Sequence, residues 1–162
     1  MAQVTETALP DYSKLHAVMQ PGDFLDCYAV ASDMPPRAAA DIITSFPAWA
    51  MLLVRLRGIL TTPFGLRQDS PKNDDTVGIF PVEYDTDQEL IAGFDDKHLN
   101  FRVSVCAFDG KVHLATWVHR NNLFGRLYLA TIMPFHILIA RDALKRVAKA
   151  GSGPSISYPT TS

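Results

Sequence analysis

The dipeptide Asp109–Gly110 is the feature of this sequence that most constrains the fold. It separates two long stretches, residues 98–108 and 111–120, in which polar and apolar residues alternate. An Asp-Gly pair between two such stretches is typical of a two-residue hairpin turn, because both turn positions require positive φ. We therefore predict an antiparallel hairpin in which Phe108 lies opposite Lys111, and this pairing sets the register of every later pair.

This register divides the hairpin into two faces of different character, since successive side chains of a strand point to opposite sides. One face is apolar and is predicted to meet a core. The other carries Arg102 opposite Trp117, a pair suited to a cation–π contact, and is predicted to be a surface or interface strip. The polar face further includes His98, Asn100, Ser104, Cys106, His113 and His119.

The remaining elements follow from periodicity and from the positions of proline and glycine. Further strands are predicted over residues 23–31, 77–84 and 89–94, and helices over residues 32–46, 47–60 and 122–149. Ser32 or Asp33 is expected to cap the first helix, and Asn121 or Asn122 the last. Pro134 is expected to kink the last helix near its middle.

Composition favours one domain with a substantial core, because 48% of the 162 residues are hydrophobic and 20% are charged. The net charge of -2 gives no basic surface for nucleic acid. Cys27 and Cys106 lack metal or redox spacing, so both are expected to be free thiols. No export signal is evident, so a cytoplasmic location is expected.

One very apolar stretch, residues 123–140, could form either a membrane span or a buried helix. It contains Arg126 and His136 and is followed by a basic segment. Charged residues are costly within a bilayer, so a helix buried against a sheet is the preferred interpretation, and no membrane span is expected.

The predicted fold class is α+β, with a curved antiparallel sheet wrapped around a long C-terminal helix and two short helices after the first strand. Residues 1–12 are expected to form a flexible arm. Residues 13–149 are expected to form a single domain, and residues 150–162, which are rich in Gly, Ser, Pro and Thr, are expected to form a disordered tail.

Four stretches carry a family resemblance: PAWAMLLVRLRGIL, PFGL, GFDDKHLNFRVSV and NNLFGRLYLATIMPFHILIARDALKR. They resemble the uncharacterised bacterial domain-of-unknown-function family DUF2867, within the START-like helix-grip (SRPBCC) superfamily. The resemblance extends over about residues 23–149. It implies a cavity between the sheet and the last helix but no activity. Sheets of this superfamily usually have more strands than the five predicted here, and residues 64–70 are one place for another.

The candidate ligand-binding residues are the apolar hairpin face and the facing side of the last helix. A solid core would use the same residues, so the sequence leaves open whether they surround a cavity. They are Phe101, Val103, Val105, Leu114, Thr116, Tyr128, Ile132, Phe135 and His136.

Charged residues near the start of the last helix have a structural interpretation. Asp95 or Asp96 is expected to pair with Arg126 and to lock the helix to the sheet. The same two carboxylates with His98 are a weaker candidate for an acid–base group. The histidines of the polar face do not form a recognised metal motif, and no nucleophile elbow or phosphate loop occurs. No metal or cofactor is therefore predicted, and catalytic residues are not assigned.

Three functions remain open at this point. The first is a domain that binds a small apolar metabolite or lipid-like ligand between sheet and helix. The second is an enzyme of cyclase or isomerase type that uses the same cavity, with Tyr128, His136 or an arginine as its polar groups. The third is a module that binds protein or forms a homodimer through the polar hairpin face, with Trp117 at its centre.

Overall fold

The structure is a computed structural model that describes residues 2–45, 75–78, 80–95 and 97–151. Seven strands, two α-helices and one 3₁₀ turn make up this part of the chain. The strands are β1 (Thr5–Glu6), β2 (Phe24–Ala31), β3 (Thr76–Val77), β4 (Phe80–Asp85), β5 (Glu89–Asp95), β6 (Leu99–Phe108) and β7 (Lys111–Arg120). The 3₁₀ turn is Lys14–Ala17, and the helices are α1 (Pro36–Thr44) and α2 (Leu123–Gly151).

All seven strands form one antiparallel sheet in the order β1-β2-β7-β6-β5-β4-β3. The sheet is curved, and the long C-terminal helix α2 packs on its concave face. This is the α+β, helix-grip-like architecture that the sequence predicted.

The central hairpin confirms the predicted register. Phe108 pairs with Lys111, and the pairing continues without interruption to Leu99 and Arg120. Asp109 and Gly110 have φ of 52° and 68°, which is the left-handed conformation expected of the turn.

The main core lies between the concave face, α1 and the second half of α2. Val105 and Leu114 of the hairpin are buried there, together with Leu144 and Val147 of α2. Arg146 of α2 also donates to the Ile42 carbonyl at the end of α1, at 2.9 Å, so the two helices are joined by a hydrogen bond as well as by packing.

Residues 2–22, which we call the N-terminal segment, cover the convex face of the sheet. β1 pairs with β2, and Leu9 and Leu15 are buried against the convex side, where they meet Trp117. These contacts differ from the flexible arm expected for residues 1–12. The apolar residues of this segment are too widely spaced to show a period, so only the tertiary packing reveals their role.

Several element boundaries also differ from the predictions. The strand expected over residues 77–84 is two strands, because Gly78 has a φ of 59° and the chain turns there. Pro35 is the residue that precedes α1, and no side chain caps it, whereas the hydroxyl of Ser32 accepts from Met34 N. The second predicted helix, residues 64–70 and the tail from residue 152 onward lie outside the described residues.

Helix α2 begins as predicted but is less buried than expected. The side chain of Asn122 accepts a hydrogen bond from Gly125 N at 3.0 Å, which caps the helix. Only 17% of its most apolar 18-residue window is buried, with a mean hydropathy of 1.6. The helix is long and apolar enough to cross a membrane, but length and composition alone are weak evidence for a membrane span. Burial therefore does not account for all of its apolar residues, since Leu127 and Leu138 are 60% exposed.

Candidate functional site

A cavity of about 120 Å³ lies between the concave face of the sheet and the first half of α2. Every strand from β4 to β7 contributes to its wall, as does β2. The lining residues are Phe24, Phe80, Phe94, Leu99, Phe101, Thr116, Val118, Tyr128, Leu129, Ile132 and His136.

Aromatic rings form one side of this cavity. Phe80, Phe94 and Phe101 lie on three adjacent strands, and their ring centroids are 5.5–6.3 Å apart. These distances are typical of aromatic pairs that stabilise one another beyond the area they bury. The contacts among the three rings therefore stabilise their positions, and the cluster gives the cavity a flat apolar wall.

His136 on α2 and Asp26 on β2 form a hydrogen-bonded pair at this cavity. The distance from His136 Nε2 to Asp26 Oδ2 is 2.8 Å, and the two residues are 110 positions apart in the chain. Asp26 Oδ1 is buried and has no hydrogen-bond partner among the described residues. His136 lines the cavity, and Asp26 holds its ring from behind, an arrangement that fixes an imidazole for proton exchange or hydrogen bonding.

A second histidine–aspartate pair lies outside the cavity, at the residue that precedes β2. Asp23 is 2.6 Å from His119 Nδ1 and accepts a hydrogen bond from Trp117 Nε1 at 2.9 Å. Burial alone would raise the pKa of Asp23, but the hydrogen bonds from His119, Gln20 N and Trp117 outweigh it and lower this pKa. These hydrogen bonds connect the start of β2 to the end of β7, so we assign the pair a structural role.

Glu89 is the most deeply buried carboxylate among the described residues, with 1% of its surface exposed. Ser13 and Ser104 donate to Oε1 at 2.5 and 2.6 Å, and Lys14 N donates to Oε2 at 3.0 Å. A buried charge is tolerated only when it is paired and hydrogen-bonded, and here three donors meet that need. Glu89 thus anchors the N-terminal segment to the convex face.

Burial shifts the pKa values of Cys27, Cys106 and His113 on the convex face. Desolvation raises the pKa of the Cys27 thiol to about 12 and that of Cys106 to about 11. It lowers the pKa of His113, whose ring nitrogens make no hydrogen bond of normal geometry among the described residues. Both cysteines are free thiols, as predicted, and the protonated form that their pKa values favour is unreactive.

Among the residues that the structure describes, no group of three or more His, Cys, Asp or Glu side chains is placed to hold a metal ion. The three histidines of the hairpin have separate environments instead. His98 contacts Asn122, with Nδ1 to Nδ2 at 2.9 Å, while His113 is buried and His119 is paired with Asp23.

Comparison with protein families gives one match over most of the chain. The model of a family described as a protein of unknown function, DUF2867, matches residues 19–143. The chain belongs to this family. Comparisons with curated proteins and with solved structures gave no match.

In this DUF2867 member, the residues predicted to bind a ligand fall into three environments. Five of them line the cavity: Phe101, Thr116, Tyr128, Ile132 and His136. Val105 and Leu114 are buried in the solid core, and Val103 packs against it. Phe135 is 46% exposed, because it faces away from the sheet.

The predicted lock between Asp95 and Arg126 does not form. Asp95 Oδ1 lies 2.9 Å from Arg102 NH1, and Arg126 is exposed. Asp96 lies outside the described residues. Arg102 pairs with acidic side chains of the same sheet, because Glu83 Oε2 also lies 2.8 Å from its Nε.

The predicted contact between Arg102 and Trp117 is also wrong, although the two residues are paired in register. Arg102 is engaged by carboxylates, and Trp117 turns its indole N–H to Asp23. Trp117 is only 5% exposed, so it cannot anchor the exposed interface that the sequence suggested.

Other residues of the site were not anticipated from the sequence, notably the cavity residues Phe24, Phe80 and Phe94 and the His136 partner Asp26. Each lies on the concave face of its strand, and alternation within the strand was a signal for this. Asp26 faces the same side as Phe24 and Tyr28, so an acid on an apolar strand face was a sign of a buried partner.

Proposed function

We propose that this chain is a binding domain for a compact apolar ring compound, which it holds between the sheet and the first half of α2. The cavity of about 120 Å³ is the observation that supports this proposal. An engineered apolar cavity of about 150 Å³ binds benzene, whereas sites for drug-sized ligands occupy about 300–1,000 Å³. A single ring with small substituents therefore suits this volume better than a long-chain lipid.

The chemistry of the wall supports the same class of ligand. Phe80, Phe94 and Phe101 offer flat apolar surfaces, and Thr116, Tyr128 and His136 are the described lining residues whose side chains can form hydrogen bonds. Sites of this kind typically combine mostly apolar lining with few polar groups that orient the ligand.

Titration with toluene tests the proposal, with binding followed by NMR shifts of the methyl groups that line the cavity. We expect saturable binding that Ile132→Trp abolishes, because the larger side chain occupies the cavity. Leu138→Trp is the matched control, since Leu138 lies on the same helix and is 60% exposed. The control should bind toluene like the wild type.

Two results would overturn this proposal. One is the absence of saturable shifts with toluene at millimolar concentrations. The other is equal toluene affinity in Ile132→Trp and in the wild type, which would place the binding elsewhere.

A second candidate, an isomerase, is favoured by the pair of His136 and Asp26. A carboxylate-oriented imidazole can remove a proton beside a carbonyl and return it at another carbon, with no co-reactant. The probe is 3-cyclohexenone, whose conversion to the conjugated 2-cyclohexenone is followed by ultraviolet absorbance. We expect a rate above background that His136→Gln removes. A rate equal to background in the wild type counts against this candidate.

The third hypothesis, association through the polar hairpin face, loses its main support. The N-terminal segment covers that face, and Trp117 and Ser104 are both buried beneath it. A partner at that face would first have to displace residues held by the Glu89 hydrogen bonds.

A further inference from the structure

We propose that His136 accepts a hydrogen bond from the bound compound, so that the ligand class is a compact ring bearing one weakly acidic hydroxyl, of which phenol is the simplest example. This inference rests on the proposed function, because it concerns the compound held in the same cavity. It adds the chemical group that the cavity recognises.

The first step of the argument is the orientation of the imidazole. The 2.8 Å contact joins His136 Nε2 to a carboxylate oxygen of Asp26. An ionised carboxylate only accepts hydrogen bonds, so Nε2 carries the proton in this contact. In the neutral ring the other nitrogen, Nδ1, then has a lone pair and acts as an acceptor.

The second step is that this acceptor is accessible. Nδ1 makes no hydrogen bond with the described residues, while the His136 side chain is 20% exposed and lines the cavity. Phe24 packs edge-on against the imidazole, with ring centroids 6.1 Å apart, and restricts its rotation. The ring is therefore held by Asp26 and Phe24 with one nitrogen left for a ligand.

The third step concerns the charge of the ligand. The Asp26 side chain is 91% buried, its Oδ1 has no partner among the described residues, and it lies opposite Thr116 in the strand register. Among the described residues that line the cavity there is no lysine or arginine. A ligand carboxylate would lie beside the His136–Asp26 pair with no compensating cation among the described lining residues, whereas a neutral hydroxyl can donate to His136 Nδ1.

Three probes of similar size separate these possibilities: toluene, phenol and benzoate. We expect phenol to bind about tenfold more tightly than toluene, the effect of one hydrogen bond in a shielded site. Benzoate should bind more weakly than toluene. In long-range ¹⁵N spectra of the wild-type protein, phenol should shift the His136 Nδ1 resonance, and toluene should leave it in place.

Two variants locate the effect. His136→Phe keeps a ring of similar size, so we expect it to bind toluene but to lose the preference for phenol. His119→Phe is the matched control, because His119 is also paired with an aspartate but lies outside the cavity. The control should retain the preference.

Equal affinity for phenol and toluene in the wild type would overturn the inference, as would a phenol preference that survives in His136→Phe. An Nδ1 resonance unmoved by phenol would do the same, and this measurement needs no variant. Failure of toluene itself to bind would instead contradict the proposed function. The toluene and phenol arms thus distinguish the two failures.

Discussion

Glu89 illustrates at the scale of a single residue how this chain attaches its N-terminal segment. Two serine hydroxyls and one backbone N–H donate to its carboxylate, and the two serines come from different parts of the chain. All three partners donate, so both oxygens of Glu89 must accept. The hydrogen bonds therefore depend on the carboxylate group and not on the size of the side chain.

Replacing Glu89 by glutamine should therefore destabilise the protein. One oxygen becomes an NH₂ group that faces donors, and we expect a loss of about 1–3 kcal/mol in the free energy of unfolding. Urea denaturation measures this loss. Glu83→Gln is the control, because Glu83 is 46% exposed, and its effect should stay within about 0.5 kcal/mol. Equal denaturation midpoints for both variants would contradict the assigned role of Glu89.

His113 should make stability depend on pH. Its pKa in the folded protein is lowered by burial from the ordinary value of 6.5, so the unfolded chain binds more protons once the pH falls below 6.5. Stability should therefore decrease as the pH falls from 6.5 toward the folded-state pKa.

The variant His113→Gln should lose this part of the pH dependence, because its side chain does not titrate. The measurement is the difference in unfolding free energy between variant and wild type at pH 7.5 and at several lower pH values. A difference that stays constant over this range would show that burial does not shift the pKa of His113.

At the scale of elements, the start of α2 depends on one glycine. A Cβ atom on Gly125 would lie 2.2 Å from the backbone oxygen of His98, just before β6. The same oxygen accepts a hydrogen bond from Asn121 N at 2.9 Å, so it cannot easily move away.

Gly125→Ala should accordingly destabilise the protein, by about 1–3 kcal/mol. At an ordinary helical position the same change stabilises by about 1 kcal/mol, so the sign of the effect is the test. Thermal denaturation gives this sign. Thr131→Ala, at an exposed position of the same helix, is the control and should be neutral or stabilising. A higher melting temperature for Gly125→Ala would contradict the close approach.

The elements that could be predicted from the sequence are those determined by local pattern. The register of β6 and β7 followed from Asp109–Gly110 and was confirmed along the whole hairpin. The strand β1, the burial of Leu9 and the pair of Asp26 and His136 could not be predicted in this way. They depend on contacts between distant segments, and local periodicity carries no information about which segments meet.

The candidate site was predictable in part for the same reason. The concave face of the hairpin supplied Phe101 and Thr116, and the helix supplied Tyr128, Ile132 and His136. The difference between cavity and solid core along that face depends on where α2 approaches the sheet. Val105 and Leu114 lie under the tightly packed second half of the helix, and the cavity lies under the first half.

At the scale of the whole molecule, the sheet has a core on each side. The concave side packs on α1 and α2, and the convex side packs under the N-terminal segment, with Leu15 only 1% exposed. Cys27 belongs to the convex core, and Cys106 lies on the same face.

Leu15→Ala should loosen the convex side, with a loss of about 2–5 kcal/mol, because it leaves a cavity in a packed region. The same change should speed the reaction of Cys27 and Cys106 with a thiol reagent, since opening of the segment exposes them. Val18→Ala, at a position 43% exposed, is the control and should change neither property much. Unchanged labelling rates in Leu15→Ala would show that the segment does not protect these thiols.

Within the described ranges, the sheet also ends, on both sides, in a strand of only two residues, β1 at one edge and β3 at the other. Unpaired strand edges invite pairing with other chains, and short terminal strands are one way in which proteins avoid it. Pro81, which faces Thr76 of β3, further lacks a backbone N–H to offer. The long central strands, whose alternating sequence makes them strong sheet formers, are thus kept from serving as a template for aggregation.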